Sequence, residues 1–267
     1  MSDFNGQLKR EETFHDKWAS QINVEALNVD VAFEGSTAPE NRYILSKLGQ
    51  LRGRYLLDLG CGAGESSVYF ARQGAHCVAG DYSQGMVETA RRLAKRYGVK
   101  IESRVIDAMQ IDFDSNVFDI VYAANVLHHV DVDRALREIH RVLKPGGITG
   151  IWEPLKHNPV INIYRRMASK VRTDDEHPLD IQVIDKTKQI FSKVEYDTFW
   201  LATLWIFLRF YLIEGIHPNE ERYWKKILTD ELRLRRTYYR LEKLDYLLKK
   251  ISYMKRFAWN IAIVAQK

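Results

Sequence analysis

The chain has 267 residues and a mass of 31.2 kDa, enough for one well-buried domain with appendages, or a domain and a half. Hydrophobic residues at 46% and charged residues at 28% exclude disorder as the default, and a net charge of +5 with a pI near 9.0 gives only mild attraction to polyanions, which does not imply nucleic acid. Two cysteines, Cys61 in a glycine turn and Cys77 in a predicted buried strand, do not look placed for a disulfide, and MSDFNGQLKREETF lacks the apolar core of a signal peptide, so a cytoplasmic protein is expected.

Residues 1 to about 50 read as two or three helices, carrying Phe14-His15-Asp16-Lys17-Trp18 and then Asn41-Arg42-Tyr43-Ile44-Leu45 with Leu48 at helical spacing. The stretch that follows, LLDLGCGAGESS over Leu56–Ser67, reads as a buried strand, a glycine turn and a helix start. Gly60, Gly62 and Gly64 leave the main chain bare, so backbone N–H groups and the positive helix end approach a nucleotide-like ligand, and Asp58 stands ready to accept from a ligand ammonium. Glycines that merely serve tight turns are the bland alternative.

Regular elements follow. HCVAGD over His76–Asp81 is a β run ending in an acid seventeen residues past Gly64, where a carboxylate takes both hydroxyls of a ribose. Ser83 caps a helix over Ser83–Arg96 with Met86, Val87, Ala90, Leu93 and Ala94 on one face and a wet basic face opposite. Lys100–Asp107 and Phe118–Asn125 read as further strands, the second leading into Val126-Leu127-His128-His129. Asp131–Leu143 is an amphipathic helix, closed by Pro145-Gly146-Gly147 ahead of a strand over Ile148–Glu153.

These residues resemble the class I S-adenosylmethionine-dependent methyltransferases over roughly residues 52 to 154: DxGxGxG at Asp58–Gly64, DxS at Asp81-Tyr82-Ser83, LHH at Leu127-His128-His129 and LKPGG at Leu143–Gly147. A nicotinamide-binding fold is the rival, but it wants its third glycine one residue later, where this chain has Glu65. The resemblance implies an α/β fold, a Rossmann-like seven-stranded methyltransferase sheet with helices on both faces. It implies S-adenosyl-L-methionine as cofactor. Its implied contacts are Asp58, Gly60, Gly62 and Gly64 at the methionine end, Asp81 at the ribose, Tyr82 and Met86 on the adenine face, and Asp107 with Ala108 at the adenine edge. It also implies that residues 1–50 fold over the cofactor as a cover with His15 and Trp18 near its methionine end; a plain packing helix is the alternative.

Beyond Glu153 the chain is dense in polar groups, through His157, Tyr164, Arg165 and Arg172 to His177, at the sheet edge where open α/β folds bind ligands. A subset of bacterial small-molecule methyltransferases looks similar here, which favours substrate contact over a plain surface loop. Ile190–Leu201 and Trp259–Gln266 read as the last two strands, an antiparallel pair in such sheets, yet about fifty-seven residues separate them. The division expected is a cover over 1–50, a cofactor core over 51–201 with a substrate loop at 154–190, a helical insertion over 202–258 and a final strand over 259–267. In the insertion, Phe199–Ile213 is apolar on every side if helical, too short to span a bilayer, and so to be buried in the fold, a partner or a membrane surface. A basic helix follows with Ile227, Leu234, Leu241 and Leu248 at heptad steps, read as a lid or homodimer element ahead of a membrane-surface helix.

Transfer of a methyl group needs an aligned acceptor, exclusion of water and, for oxygen, a base. By strand logic Asn125, His128, Glu153, His157 and His177 lie nearest the methyl, with the three histidines as candidate bases and only one of His128 and His129 pointing inward. No pair has the spacing to propose a metal. The reading is methylation of a small-molecule or lipid-linked acceptor, at oxygen rather than carbon or nitrogen. RNA methylation guided by the basic helix and a non-catalytic cofactor-binding subunit are the alternatives; Asn125-Val126 departs from the NPPY pattern of base-amine methylation, which lowers the nucleic-acid reading.

Overall fold

A computed structural model describes residues 2–168 and 177–267. Three helices precede the sheet, α1 (Ser2–Ala19), α2 (Val29–Glu34) and α3 (Pro39–Leu48). Then come β1 (Tyr55–Leu59), α4 (Glu65–Arg72), β2 (His76–Asp81), α5 (Gln84–Arg96), β3 (Glu102–Val105), β4 (Phe118–Ala124), α6 (Val132–Val142) and β5 (Leu143–Pro154). Helices α7 (Pro159–Met167) and α8 (Val183–Ile190) lead to β6 (Lys193–Phe199); α9 (Trp205–Leu212), α10 (Tyr223–Thr229) and α11 (Glu231–Leu248) lead to β7 (Asn260–Gln266).

The strands form one seven-stranded sheet in the order β3-β2-β1-β4-β5-β7-β6, parallel except for β7, which runs antiparallel between β5 and β6. Alternation along each strand builds two cores. Leu57, Leu59, Val121, Ala123, Ile261 and Ile263 face α6 and α8, while Leu56, Ile120, Tyr122, Ala262 and Val264 face α2, α3, α4 and α5. Capping fixes where helices begin: Ser83 accepts from Met86 N at 3.1 Å ahead of α5, and Asp131 accepts from Arg134 N at 2.9 Å ahead of α6.

Three expectations change. The strand after α6 starts at Leu143 and carries Lys144–Gly147 within it, because the chain pairs with β4 at Phe118↔Leu143 before a bulge resets the register. The last-but-one strand stops at Phe199, since Trp200 turns the backbone to φ +68°. The apolar run is not buried all round: Ile206, Phe207 and Phe210 pack into a separate core with Trp200, Tyr223, Ile227, Leu234 and Tyr238, but Trp205, Tyr211, Leu212 and Ile213 stay exposed.

The heptad seam is used inside the chain. Ile227 and Leu234 are buried in that same core, Leu241 packs against it, and the two seam acids are satisfied at home. Glu231 accepts from Ser36 Oγ at 2.7 Å, and Asp245 accepts from Leu201 N, Ala202 N and Thr203 N as well as from the Thr203 hydroxyl at 2.6 Å. That part of the seam is therefore occupied within the chain, while Leu248 is only part-buried. Among the described residues no helix is long and apolar enough to cross a membrane.

Candidate active site

A cavity of about 340 Å³ lies at the carboxyl ends of the parallel strands, the place open α/β sheets bind ligands. Its first half is built on the turn after β1, and the three glycines there answer three different demands. A Cβ on Gly60, at φ +71°, would overlap Val126 Cγ2; one on Gly64, at φ +91°, would stand 2.7 Å from Ala90 Cα and hold α4 off α5. Gly62, at φ +52°, has nothing within 4 Å of that position, so its bareness is open cavity. Gly60 and Gly62 line the cavity, whereas Gly64 lies behind them against α5.

Asp58 also stands back from the cavity. It does not line the cavity; it is buried behind the turn and takes the Ser67 hydroxyl at 2.5 Å, tying β1 to α4. Burial pushes its carboxyl up to about 7, against the Ser67 hydrogen bond, which lowers it. Asp81 is where strand logic puts it, at the tip of β2 on the cavity wall, with Oδ2 accepting from Gly62 N and Oδ1 from Ser83 N, each at 2.9 Å. Burial raises its pKa while those two N–H groups lower it. Tyr82, Met86, Ile106, Asp107, Ala108 and Asn125 continue the wall, and Asp107 is fixed by accepting from Met109 N at 2.8 Å. A bare concavity at Gly62 between two oriented carboxylates fits the ribose and adenosine of S-adenosylmethionine.

The second half lies over β4, β5, β7 and the end of β6. Tyr122, Trp152, Trp200 and Trp259 form its walls, with Ile227 and Leu228 of α10, and Glu40, Asn41 and Thr37 entering from the start of α3. The polar groups are chained together. Trp152 Nε1 donates to Tyr122 Oη at 2.9 Å, Tyr122 donates to Asn41 Oδ1 at 2.6 Å, and Asn41 Nδ2 donates to the Ala32 carbonyl at 2.8 Å. Asn260 Nδ2 donates to Glu40 Oε1 at 2.6 Å. Burial pushes the Glu40 carboxyl up to about 7, even though Asn260 and Trp200 hydrogen bonds and the nearby Arg42 pull the other way. Over the mouth, Trp18 of α1 meets Trp224 of α10 edge-on at 5.9 Å, and the Arg222 guanidinium lies 4.1 Å from the Trp18 ring centre.

Of the residues expected nearest the chemistry, His15, Trp18 and Asn125 line the cavity; His128, Glu153, His157, His177, Tyr164 and Arg165 do not, and Arg172 falls outside the described residues. Glu153 accepts from Val126 N and Leu127 N at 2.7 Å each and pairs with His128 Nδ1 at 2.7 Å, locking the turn after β4. It is His129 that points inward. His157 pairs with Asp180 at 3.0 Å on the surface side, and exposed His177 is tied through its backbone N–H to the His128 carbonyl. Tyr164 packs on Phe207 and Tyr223 of the insertion, and Arg165 donates to the Leu155 carbonyl. Lining residues the sequence reading did not single out include Glu11, Glu40, Tyr122, Trp152 and Trp200, and of the His128–His129 pair it left the inward member open; Trp200 and Trp259, near the facing ends of the two expected last strands, were the available clue.

Residues 57–151 match the model of a methyltransferase domain. Over 140 residues the chain is 34% identical to a sterol 24-C-methyltransferase of Yarrowia lipolytica, covering 51% of this chain and 37% of that protein. Over 171 residues it is 29% identical to the sterol 24-C-methyltransferase of Saccharomyces cerevisiae, covering 60% and 44%. The chain thus spans less than half the length of these two curated relatives. Among solved structures, a phosphoethanolamine N-methyltransferase 2 of Haemonchus contortus, in complex with phosphomonomethylethanolamine and S-adenosylhomocysteine, superposes with a TM-score of 0.56 at 24% identity, covering 85% of this chain and 52% of that one. The sheet has the class I S-adenosylmethionine-dependent methyltransferase fold, and residues 57–151 within it form a methyltransferase domain. Both of these sequence relatives are sterol 24-C-methyltransferases.

Proposed function

We propose that the chain methylates an apolar, unsaturated lipid of sterol type at carbon. The observation that carries the reading is the second half of the cavity, an aromatic chamber of Tyr122, Trp152, Trp200 and Trp259 holding the buried carboxyl of Glu40. S-adenosylmethionine bound along Gly60, Gly62, Asp81 and Asp107 supplies an electrophilic methyl group. An alkene accepts it with its π pair, forming a carbon–carbon bond and leaving positive charge on the acceptor. Aromatic faces attract such charge, and more strongly in a desolvated site. Glu40, once ionised, takes the proton from the neighbouring carbon and so restores the double bond. The names of the sequence relatives support both carbon and lipid. The three histidines read as bases for oxygen methylation, His128, His157 and His177, do not line the cavity.

The route in for such an acceptor lies along α11. Leu232, Tyr239, Tyr246 and Leu247 are exposed on it among exposed Arg236, Arg240 and Lys243, spaced at three and four residues and so on one face, with exposed Lys250 in the turn just past its end. A helix face of basic and apolar side chains suits an anionic bilayer, from which a lipid acceptor is drawn.

The test is transfer of labelled methyl from S-adenosylmethionine to cell lipids and to a sterol with an unsaturated side chain. Label is expected in the lipid phase, on carbon. Glu40→Gln should lower kcat by about 100-fold or more, the usual scale for losing a positioned base, with cofactor affinity unchanged. Label confined to water-soluble products or RNA overturns the reading.

A further inference from the structure

We propose that Glu11, His15 and His129 form a binding site for a divalent transition-metal ion of the zinc class, which ties helix α1 to the turn after β4. Glu11 Oε2 lies 3.5 Å from His15 Nε2 and 3.3 Å from His129 Nδ1, and one donor atom from each residue falls within 4.8 Å of the others. A tetrahedral zinc ion with bonds of about 2.0–2.1 Å sets its ligand atoms about 3.3 Å apart, so an ion fits with small side-chain adjustment. Two imidazoles and one carboxylate suit zinc, cobalt or copper and disfavour calcium and magnesium, which take oxygen.

The ligands stand on fixed supports. Glu11 and His15 are four residues apart on α1 and share one face. That helix is held by Asp16, whose Oδ1 accepts from Ser83 Oγ at 2.5 Å and from Gly85 N at 2.9 Å at the start of α5. His129 is carried by the turn that Glu153 locks. All three line the cavity, so a three-ligand site leaves its fourth position open toward it, and Glu11 is buried between the two imidazoles at 5% exposure. Of the charged groups on the same cavity wall, Asp81 interacts electrostatically with both His15 and His129, which favours a cation there, while Lys225 and Glu65 also line the cavity and interact with each other. Spacing along the chain concealed this arrangement, because His129 arrives from the far side of the glycine-turn core.

The test uses the 267-residue chain without a histidine tag, titrated with Co(II). Uptake of one ion per chain with visible ligand-field bands, displaced by zinc, is expected. His15→Ala and His129→Ala should each weaken uptake by more than about 100-fold, beyond what loss of an outer hydrogen bond gives, and His157→Ala should leave it unchanged. Since a variant could misfold, copper bound to the wild-type chain supplies a second readout: its electron paramagnetic resonance should show coupling to two nitrogens. No cobalt uptake by the wild type, uptake retained in the His15→Ala/His129→Ala double variant, or copper coupled to fewer than two nitrogens overturns the proposal.

Discussion

At Gly62 and Gly64 the same substitution costs different things. Gly62→Ala adds a methyl where nothing lies within 4 Å, so the penalty to stability is the left-handed backbone alone, about 1–2 kcal/mol, while the methyl intrudes on the cofactor. Gly64→Ala sets a Cβ 2.7 Å from Ala90 Cα as well, and should cost about 2–4 kcal/mol with weaker influence on binding by the folded fraction. Thermal melts and calorimetry with S-adenosylhomocysteine read both, and equal melting points would refute the distinction. Glu40 adds a pH signature. Its carboxyl titrates near 7 in the fold against an ordinary 4.5, so between those values the native chain keeps a proton that the unfolded chain has released. Stability from this group is full below pH 4.5, falls as pH rises through about 7, and stays lost above it. Turnover should run the other way, rising through about pH 7 as the base ionises. Glu40→Gln should flatten its share of the stability profile in that window; a Tm profile that keeps the wild-type slope contradicts this. The sequence announced Asp81 because a strand-tip acid at fixed spacing is a local feature. It did not announce Glu40, whose partner Asn260 is 220 positions away.

Among elements, the strands were legible because alternation and glycine turns are local, and their errors are confined to ends such as Leu143 and Trp200, where pairing and a φ of +68° decide. The histidines were not legible. Adjacent side chains such as His128 and His129 diverge according to the turn they sit on, and that turn is set by Glu153 from a different strand. The insertion shows the same dependence on remote partners. Its heptad pattern is real, but Asp245 on that seam accepts three backbone N–H groups of residues 201–203 and the Thr203 hydroxyl, so the helix braces the chain emerging from β6. Asp245→Ala should cost about 2–4 kcal/mol by leaving those buried donors unmet. The loss should appear as early hydrogen exchange in α9 and α11, with the central strands still protected; uniform exchange throughout the chain would argue against it.

For the molecule as a whole, the donor half of the cavity is encoded in a compact run of sequence from β1 to β4, and the acceptor half is gathered from α3, β4, β5, the end of β6, α10 and β7. That difference explains why cofactor chemistry was readable and acceptor chemistry was not. If α11 meets bilayers as proposed, the chain should float with anionic vesicles at low salt and be released as salt screens the Arg236, Arg240, Lys243 and Lys250 charges within a Debye length of about 10 Å at 0.1 M. Replacing Leu232 and Leu247 by Ser should abolish flotation, and persistence in that variant would show that another surface is responsible. The placement of β7 between β5 and β6 has a temporal consequence. During synthesis β6 leaves the ribosome with no sheet neighbour to join, since its hydrogen-bonding partner is translated more than fifty codons later. The methyl-donor pocket can thus assemble on a nascent chain, whereas Trp259 and Asn260 reach the substrate wall only when that late strand threads into its slot.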